Sequence, residues 1–270
     1  MKIFYRYISW VIIGMSFEIM PQTAHAGAWN LPAGEGQIIS TFDYSKAKSA
    51  FTDIEVDNNS LSFVKTEGRV FYEHGLTQKL NFVGNGAYQT LQISDGQSQT
   101  NFSDFADIEL GLRYEVDRKE HSVVSLQGSY IIGGGPPSSI LDFNGPDDSV
   151  ELRGLWGRSQ TFEKSAIFFE AQGALRSKTF SNIDEWHTDF TLGYKRNDKY
   201  LLLGQLFHAR RKSIEQDGFS VPIQQRVKLK LSAVYEYKKN RHVQIGYEET
   251  IAGRNIVRER GLSVGTWLKY

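Results

Sequence analysis

The sequence predicts an all-β fold, a transmembrane antiparallel up-and-down β-barrel of about twelve strands. Three observations predict it. Apolar and polar residues alternate with a period of two through most of the 270 residues. The connections between the alternating segments are by turns short and long. The last segment runs in clean alternation to a terminal aromatic, Tyr270, whereas a soluble tail would be polar and frayed.

The elements follow in chain order. Lys2 and Arg6 give a basic start, Ile8 to Met15 is a short apolar run, and Ala24-His25-Ala26 is a small-x-small site. Residues 1–26 therefore read as a cleaved secretory signal, with Gly27 the first mature residue. The apolar run is too short to span a bilayer as a helix. Residues 27–270 read as one barrel domain. Its irregular lead-in, Asn30-Leu31-Pro32-Ala33-Gly34-Glu35-Gly36, carries a proline and glycines. Two placements fit this segment: outside in the periplasm, or tucked into the barrel as a small plug.

Alternation is strongest where Ile108, Leu110, Leu112, Tyr114 and Val116 oppose Asp107, Glu109, Gly111, Arg113 and Glu115. The same pattern recurs in Arg226 to Tyr237, Trp186 to Lys195 and Ile167 to Arg176. A helical period would spread these charges around the whole circumference, so strand is the better reading. Strands are expected over 36–51, 60–74, 79–93, 104–116, 121–133, 149–158, 164–177, 184–195, 199–213, 224–237, 241–252 and 257–270. Each is long enough to cross a bilayer at a tilt.

Short turns fall near Gly75–Gln78, Asp117–Glu120, Ser159–Glu163, Arg196–Asp198 and Lys238–Asn240. Longer stretches fall near Thr52–Asn59, Ser94–Ser103, Gly134–Asp148, Lys178–Ile183 and Ile214–Ile223. The short Gly253–Ile256 connection departs from that rhythm. Short turns on one side and long loops on the other are the asymmetry of an outer-membrane barrel, and an even strand count puts both termini in the periplasm. Tyrosines and tryptophans such as Tyr72, Tyr114, Tyr130, Trp156, Tyr200 and Tyr247 lie toward strand ends, as interfacial girdles do.

If the apolar face meets lipid, the polar face lines the lumen. Candidate lining residues are Glu67, Arg69, Asp107, Glu109, Arg113, Glu151, Arg153, Asp189, Lys228 and Lys230. Two roles fit them: a salt-bridge network filling a narrow barrel, or the wall of a passage for a small solute. Asp107, Glu109 and Glu115 make one strand acidic, while Arg226, Lys228 and Lys230 make another basic. A field across the lumen is the expectation from that asymmetry.

Composition excludes several functions. The formal net charge is zero and there is no cysteine. A nucleic-acid partner would want a basic surplus, and a cysteine-linked lipid anchor is ruled out. The negative mean hydropathy suits a barrel, in which only alternate residues face lipid. Gly133-Gly134-Gly135 is followed by no Lys-Ser/Thr pair, so it is not a phosphate loop. No metal-ligand spacing and no cofactor motif occurs. A lipid-modifying enzyme would need a histidine and serine within reach of each other. His74, His121, His187, His208 and His242 have no serine two residues away.

The terminal octapeptide resembles the C-terminal assembly signal of bacterial outer-membrane barrels, with Ser263, Gly265, Leu268 and Tyr270 in its characteristic places. That resemblance implies the barrel-assembly machinery and outer-membrane lipids as partners. The mature start, Gly27-Ala28-Trp29-Asn30-Leu31-Pro32-Ala33-Gly34-Glu35-Gly36-Gln37-Ile38-Ile39, is similar to that of XagA-like outer-membrane proteins, relatives of the meta-pathway phenol-degradation family. The likeness extends more loosely to Asp107-Ile108-Glu109-Leu110-Gly111-Leu112-Arg113. It implies a barrel of this length acting as a channel or uptake route for a small solute, hydrophobic ones included. It carries no functional motif. A surface binding or structural barrel with a closed lumen is the alternative, and a lipid-modifying enzyme comes third.

Overall fold

A computed structural model of the chain describes residues 27–51, 62–94, 99–134, 148–178, 184–197, 199–216, 219–221 and 223–270. The expected signal segment, 1–26, lies outside them, as do most of the expected loops at 52–59 and 134–148.

Twelve antiparallel strands form the barrel. They are β1 (Gly36–Ala47), β2 (Ser62–Gly75), β3 (Leu80–Ser94), β4 in two runs (Gln99–Phe105 and Ile108–Arg118), β5 (Ser122–Ile132) and β6 (Ser149–Phe162). Then come β7 (Ser165–Ser177), β8 (Glu185–Arg196), β9 (Tyr200–Arg211), β10 (Gln224–Lys238), β11 (Arg241–Arg254) and β12 (Arg260–Lys269). Each pairs with its neighbours in sequence, and β1 pairs with both β2 and β12, which closes the sheet. Closure removes the open edges that a sheet in hydrocarbon cannot keep.

The register explains the alternation. In the β1–β12 seam Phe42 faces Val264 and Asp43 faces Ser263, so one step along the pair changes lipid for lumen. Phe42, Leu112, Leu126, Leu192, Leu231, Ile245 and Val264 are exposed on the outer surface. Glu67, Glu73, Arg113, Glu151, Glu170 and Glu248 are buried within it. This inversion of the soluble pattern gives a continuous apolar outer wall, far larger than the isolated patches of a soluble monomer.

Three expected boundaries shift. The turn expected at Ser159–Glu163 narrows, because Ser159 to Phe162 continue the ladder with Ser165 to Phe168. The 94–103 stretch expected as a loop is largely strand, because Gln99–Phe105 continues the ladder with Tyr88–Ser94. Between Phe105 and Ile108 the chain bulges. Ala106 donates its amide to the Ala87 carbonyl at 2.8 Å, while Phe105 remains exposed and Ala106 is buried. One extra residue thus lets apolar residues on both sides of the break keep facing outward. The connection after β11 is also more ordered than a plain turn. Asn255 has a φ of 52°, and Ile256–Val257 pairs with Ala50–Phe51 beside the barrel mouth. A further two-stranded ribbon joins Ile214–Gln216 to Phe219–Val221. Short turns cluster at the end that carries Gly36 and Tyr270, where Asn197 and Asn240 adopt positive φ, a conformation asparagine tolerates in tight turns. No helix occurs among the described residues.

Candidate functional site

The lumen is the candidate site, and alternation within the strands positions every group that lines it. The short-turn end is filled by the lead-in to β1. Ala28, Trp29, Asn30 and Leu31 are all buried. Trp29 belongs to an apolar cluster with Val123 of β5, Leu155 of β6, Phe168 of β7, Leu201 and Leu203 of β9, Val234 of β10 and Trp267 of β12, and Ile39 of β1 packs against it. Contributions from so many strands place the segment across the lumen. The ring of Trp29 meets Phe168 edge-on, with centroids 6.1 Å apart.

Two inward glycines make the space. A Cβ on Gly157 would lie 2.6 Å from the Trp29 indole, and one on Gly193 would run into the Phe168 ring. Polar contacts then fix the segment. Arg113 donates Nε to the Asn30 side-chain oxygen at 3.0 Å and a terminal nitrogen to the Trp29 carbonyl at 3.4 Å. Asn30 donates to the Lys79 carbonyl at 2.7 Å, and Ser125 donates to the Ala28 carbonyl at 2.7 Å. Gly34 and Glu35 exchange main-chain bonds with Gly75, at 2.8 and 2.9 Å. Of the two placements the sequence allowed for the lead-in, Asn30 and Leu31 take the plug, together with Ala28 and Trp29, while residues 32–35 stay exposed.

Arg113 is also ion-paired with Glu73. Glu73 is held in turn by Gln37 at 2.9 Å and Asn81 at 2.6 Å. A buried ion pair is sustained only when its remaining lone pairs and protons are satisfied, and here the plug supplies part of that satisfaction.

Beyond the plug lie two ion-pair clusters. In the first, Arg153 bridges Glu151 and Asp189 at 2.8 Å each, and Arg176 bridges Asp107 at 3.0 Å and Glu151 at 3.1 Å. Glu185 extends this cluster to Arg211 at 2.7 Å and His187 at 3.2 Å. In the second, Lys228 bridges Glu248 at 2.9 Å and Glu259 at 3.1 Å, while Lys230 reaches Asp43 at 3.3 Å. Arg69 pairs with Glu67 at 2.6 Å, and Lys65 reaches Glu67 and Glu259 at 3.8 and 3.9 Å. Glu109 accepts from Gln127 at 2.9 Å and Ser129 at 2.7 Å.

The ten sequence-derived lining residues thus separate into four settings. Arg113 belongs to the plug seat. Asp107, Glu151, Arg153 and Asp189 meet in one cluster, and Glu67, Arg69, Lys228 and Lys230 in the other. Glu109 stands in a neutral hydrogen-bonded pocket. In the acidic row expected to set up a transverse field Asp107 and Glu115 pair with Arg176 and Arg118, and in the basic row Lys228 and Lys230 pair with Glu248, Glu259 and Asp43. They face each other as locally compensated clusters rather than as bare rows.

The residues proposed as an assembly signal sit in the β1–β12 seam. Ser263 is buried, Gly265 faces Thr41, and Leu268 and Tyr270 are exposed on the outer surface. Gly36 and Tyr270 exchange main-chain bonds at 2.9 and 3.0 Å, and the Tyr270 hydroxyl lies 3.0 Å from that of Tyr72. At the opposite rim Tyr130 donates to Asp148 at 2.5 Å and the Gly133 amide donates to it at 3.0 Å. The Tyr130 hydrogen bond, then the Gly133 one, holds the Asp148 carboxyl below its usual value.

The histidines are scattered. His74 stacks between Tyr72 and Tyr270, His187 contacts Glu185, His208 contacts Gln225, and His242 packs on Trp267. Among the described residues no group of three or more metal-ligating side chains converges.

Sequence reasoning missed Phe168, Leu201, Leu203, Val234 and Trp267 as a plug seat. The available signal was an apolar residue on the nominally polar face, recurring within a few residues of the short turns.

No family model matches the chain. No curated protein matches it either. Its fold is similar to that of solved outer-membrane barrels. The COG4313 outer membrane channel from Pseudomonas putida F1 superposes with a TM-score of 0.72 at 14% identity, over 92% of this chain and 100% of that one. The translocator domain of the autotransporter NalP from Neisseria meningitidis gives 0.54 at 10% identity, over 89% and 90%. The NanC porin gives 0.53 at 8% identity, over 86% and 98%. The chain has the fold of a twelve-stranded outer-membrane β-barrel.

Proposed function

We propose that the protein is an outer-membrane channel for a small solute, closed at its periplasmic end by its own N-terminal segment. The observation that carries this reading is the division of the lumen. Two compensated ion-pair clusters leave a polar wall, and among the described residues a short stretch without strand structure crosses the barrel beneath them. A polar lumen and an apolar exterior are the arrangement of a water-filled barrel. Passage requires the plug to move, because Ala28 and Trp29 are buried among side chains from opposite walls. Sequence likeness at Gly27 to Ile39, together with the similarity to a solved outer-membrane channel, supports kinship with the XagA-like and phenol-degradation families. The small solute belongs to that reading and is not specified by any side chain. The outward apolar wall takes outer-membrane lipids as its partner, and the terminal strand takes the barrel-assembly machinery.

The second reading is a surface binding or structural barrel whose lumen stays shut. The density of ion pairs favours it. A lipid-modifying enzyme is disfavoured by the dispersed histidines. Conductance in a planar bilayer separates the first two. The chain lacking residues 27–33 should conduct several-fold more than the full chain. Absence of current from both, in protein shown to be folded by heat-modifiable migration, would establish the closed barrel instead.

A further inference from the structure

The plug lies against a carboxylate that the barrel leaves half-satisfied. Glu170 points inward from β7 and is 0% exposed. Its Oε1 accepts the Ala28 amide at 3.3 Å. Its Oε2 has no hydrogen-bond donor among the described residues. Arg113, which acts on it through charge alone, is engaged with Glu73, Asn30 and the Trp29 carbonyl. A buried carboxylate with a single main-chain donor is costly unless a cation reaches it.

The residue beside the free oxygen is Gly27. A Cβ there would lie 2.7 Å from the Glu170 carboxyl carbon and 2.9 Å from Gln172 Nε2, and the residue has a φ of +126°. Only glycine meets both demands at once, close approach and that backbone conformation. Gly27 also directly follows the small-x-small site Ala24-His25-Ala26.

We propose that cleavage of the Ala26–Gly27 bond supplies the missing cation: the new α-ammonium of Gly27 pairs with Glu170 Oε2 inside the lumen and locks the plug. The step is a hydrolysis by a leader peptidase. One water is consumed, the C–N bond breaks, Ala26 leaves as a carboxylate, and the Gly27 amine takes up a proton at neutral pH. An amide nitrogen at this place has one proton and no charge. The ammonium has three donors and a positive charge to offer, as a lysine head group does. Export processing thereby creates the group that the seat lacks, and only the processed chain can lock.

The test uses the protein extracted folded from membranes. N-terminal sequencing should begin Gly27-Ala28-Trp29. Reductive dimethylation of the α-amine at neutral pH is then followed by mass spectrometry of the N-terminal peptide. The folded barrel should react about tenfold more slowly than the urea-unfolded chain, because each unit by which pairing raises the amine's affinity for its proton cuts the reactive free base tenfold. E170Q should abolish that difference. If E170Q does not fold, a chain refolded with one extra alanine before Gly27 serves in its place, since its amine is displaced from the carboxylate and should also react fast. A different mature start, or equal rates for the folded wild type and its unfolded chain, would overturn the proposal. So would a slow rate kept by folded E170Q or, where E170Q does not fold, by the extended chain. Labelling does not depend on conductance, so this proposal and the channel reading can fail separately.

Discussion

At the scale of single residues, the plug seat is a matter of volume and of charge. Gly157 exists so that the Trp29 indole can lie against β6. Replacing it by leucine fills that space with no outlet, since the lumen there is already packed with Phe168 and Leu155. The barrel ladder does not depend on the side chain, so Gly157→Leu should leave the barrel folded while raising single-channel conductance toward that of the plug deletion. The Arg113–Glu73 pair is different, because it carries stability. Truncating one partner of a fully buried pair leaves an uncompensated charge and costs roughly 3–5 kcal/mol. Arg113→Ala should therefore lower the urea midpoint of the bilayer-reconstituted protein. Adding Glu73→Gln should recover part of the loss, and an additive further loss would count against the pairing. On the outer face the penalty has another origin: Leu112→Arg places a charge in hydrocarbon, at about 2–4 kcal/mol if it lies near the midplane. The same assay reads it.

At the scale of elements, most of the strands were legible because alternation is a local property, imposed by lipid on one side and water on the other. Asp107 to Val116 alternates without a fault, and β4 follows it apart from the bulge at Ala106 and a register shift between Glu115 and Asp117. β9 was harder, since Leu201-Leu202-Leu203 is apolar on both faces. Its inner leucines meet the plug and its outer one meets lipid, two partners that a single strand's pattern cannot tell apart. The lead-in was legible as irregular but not as a plug, because most of its contacts, from Gly75 and Lys79 to Trp267, are far away along the chain, and no short-range pattern records such pairs. The last strand carries its own prediction. Tyr270 closes the seam through Gly36 and the Tyr72 hydroxyl, so deleting it should lower the amount of heat-modifiable folded barrel without altering the conductance of what does fold. A normal folded yield would remove Tyr270 from the assembly role.

At the scale of the whole molecule, charge is organised in patches that cancel. Asp43, Glu248 and Glu259 surround Lys228 and Lys230, while three arginines are shared among Asp107, Glu151, Glu185 and Asp189 on the other wall. Such pairing suppresses a long-range field and leaves short-range selectivity at each cluster. Reversing both lysines, Lys228→Glu with Lys230→Glu, would bring five carboxylates together and draw cations into the lumen. Reversal potentials across a salt gradient should shift toward cation preference; an unchanged reversal potential would mean that ions do not pass this cluster.

The seam between β1 and β12 also sets an order of events. The plug is continuous with β1, and its seat includes Trp267 on the final strand. The chain must therefore be complete, and its two ends joined, before the last wall of the seat exists. Trp29 is thus a built-in clock hand. Its emission should shift to shorter wavelength only after the ends have met, later than the growth of strand structure seen by circular dichroism in the same refolding experiment.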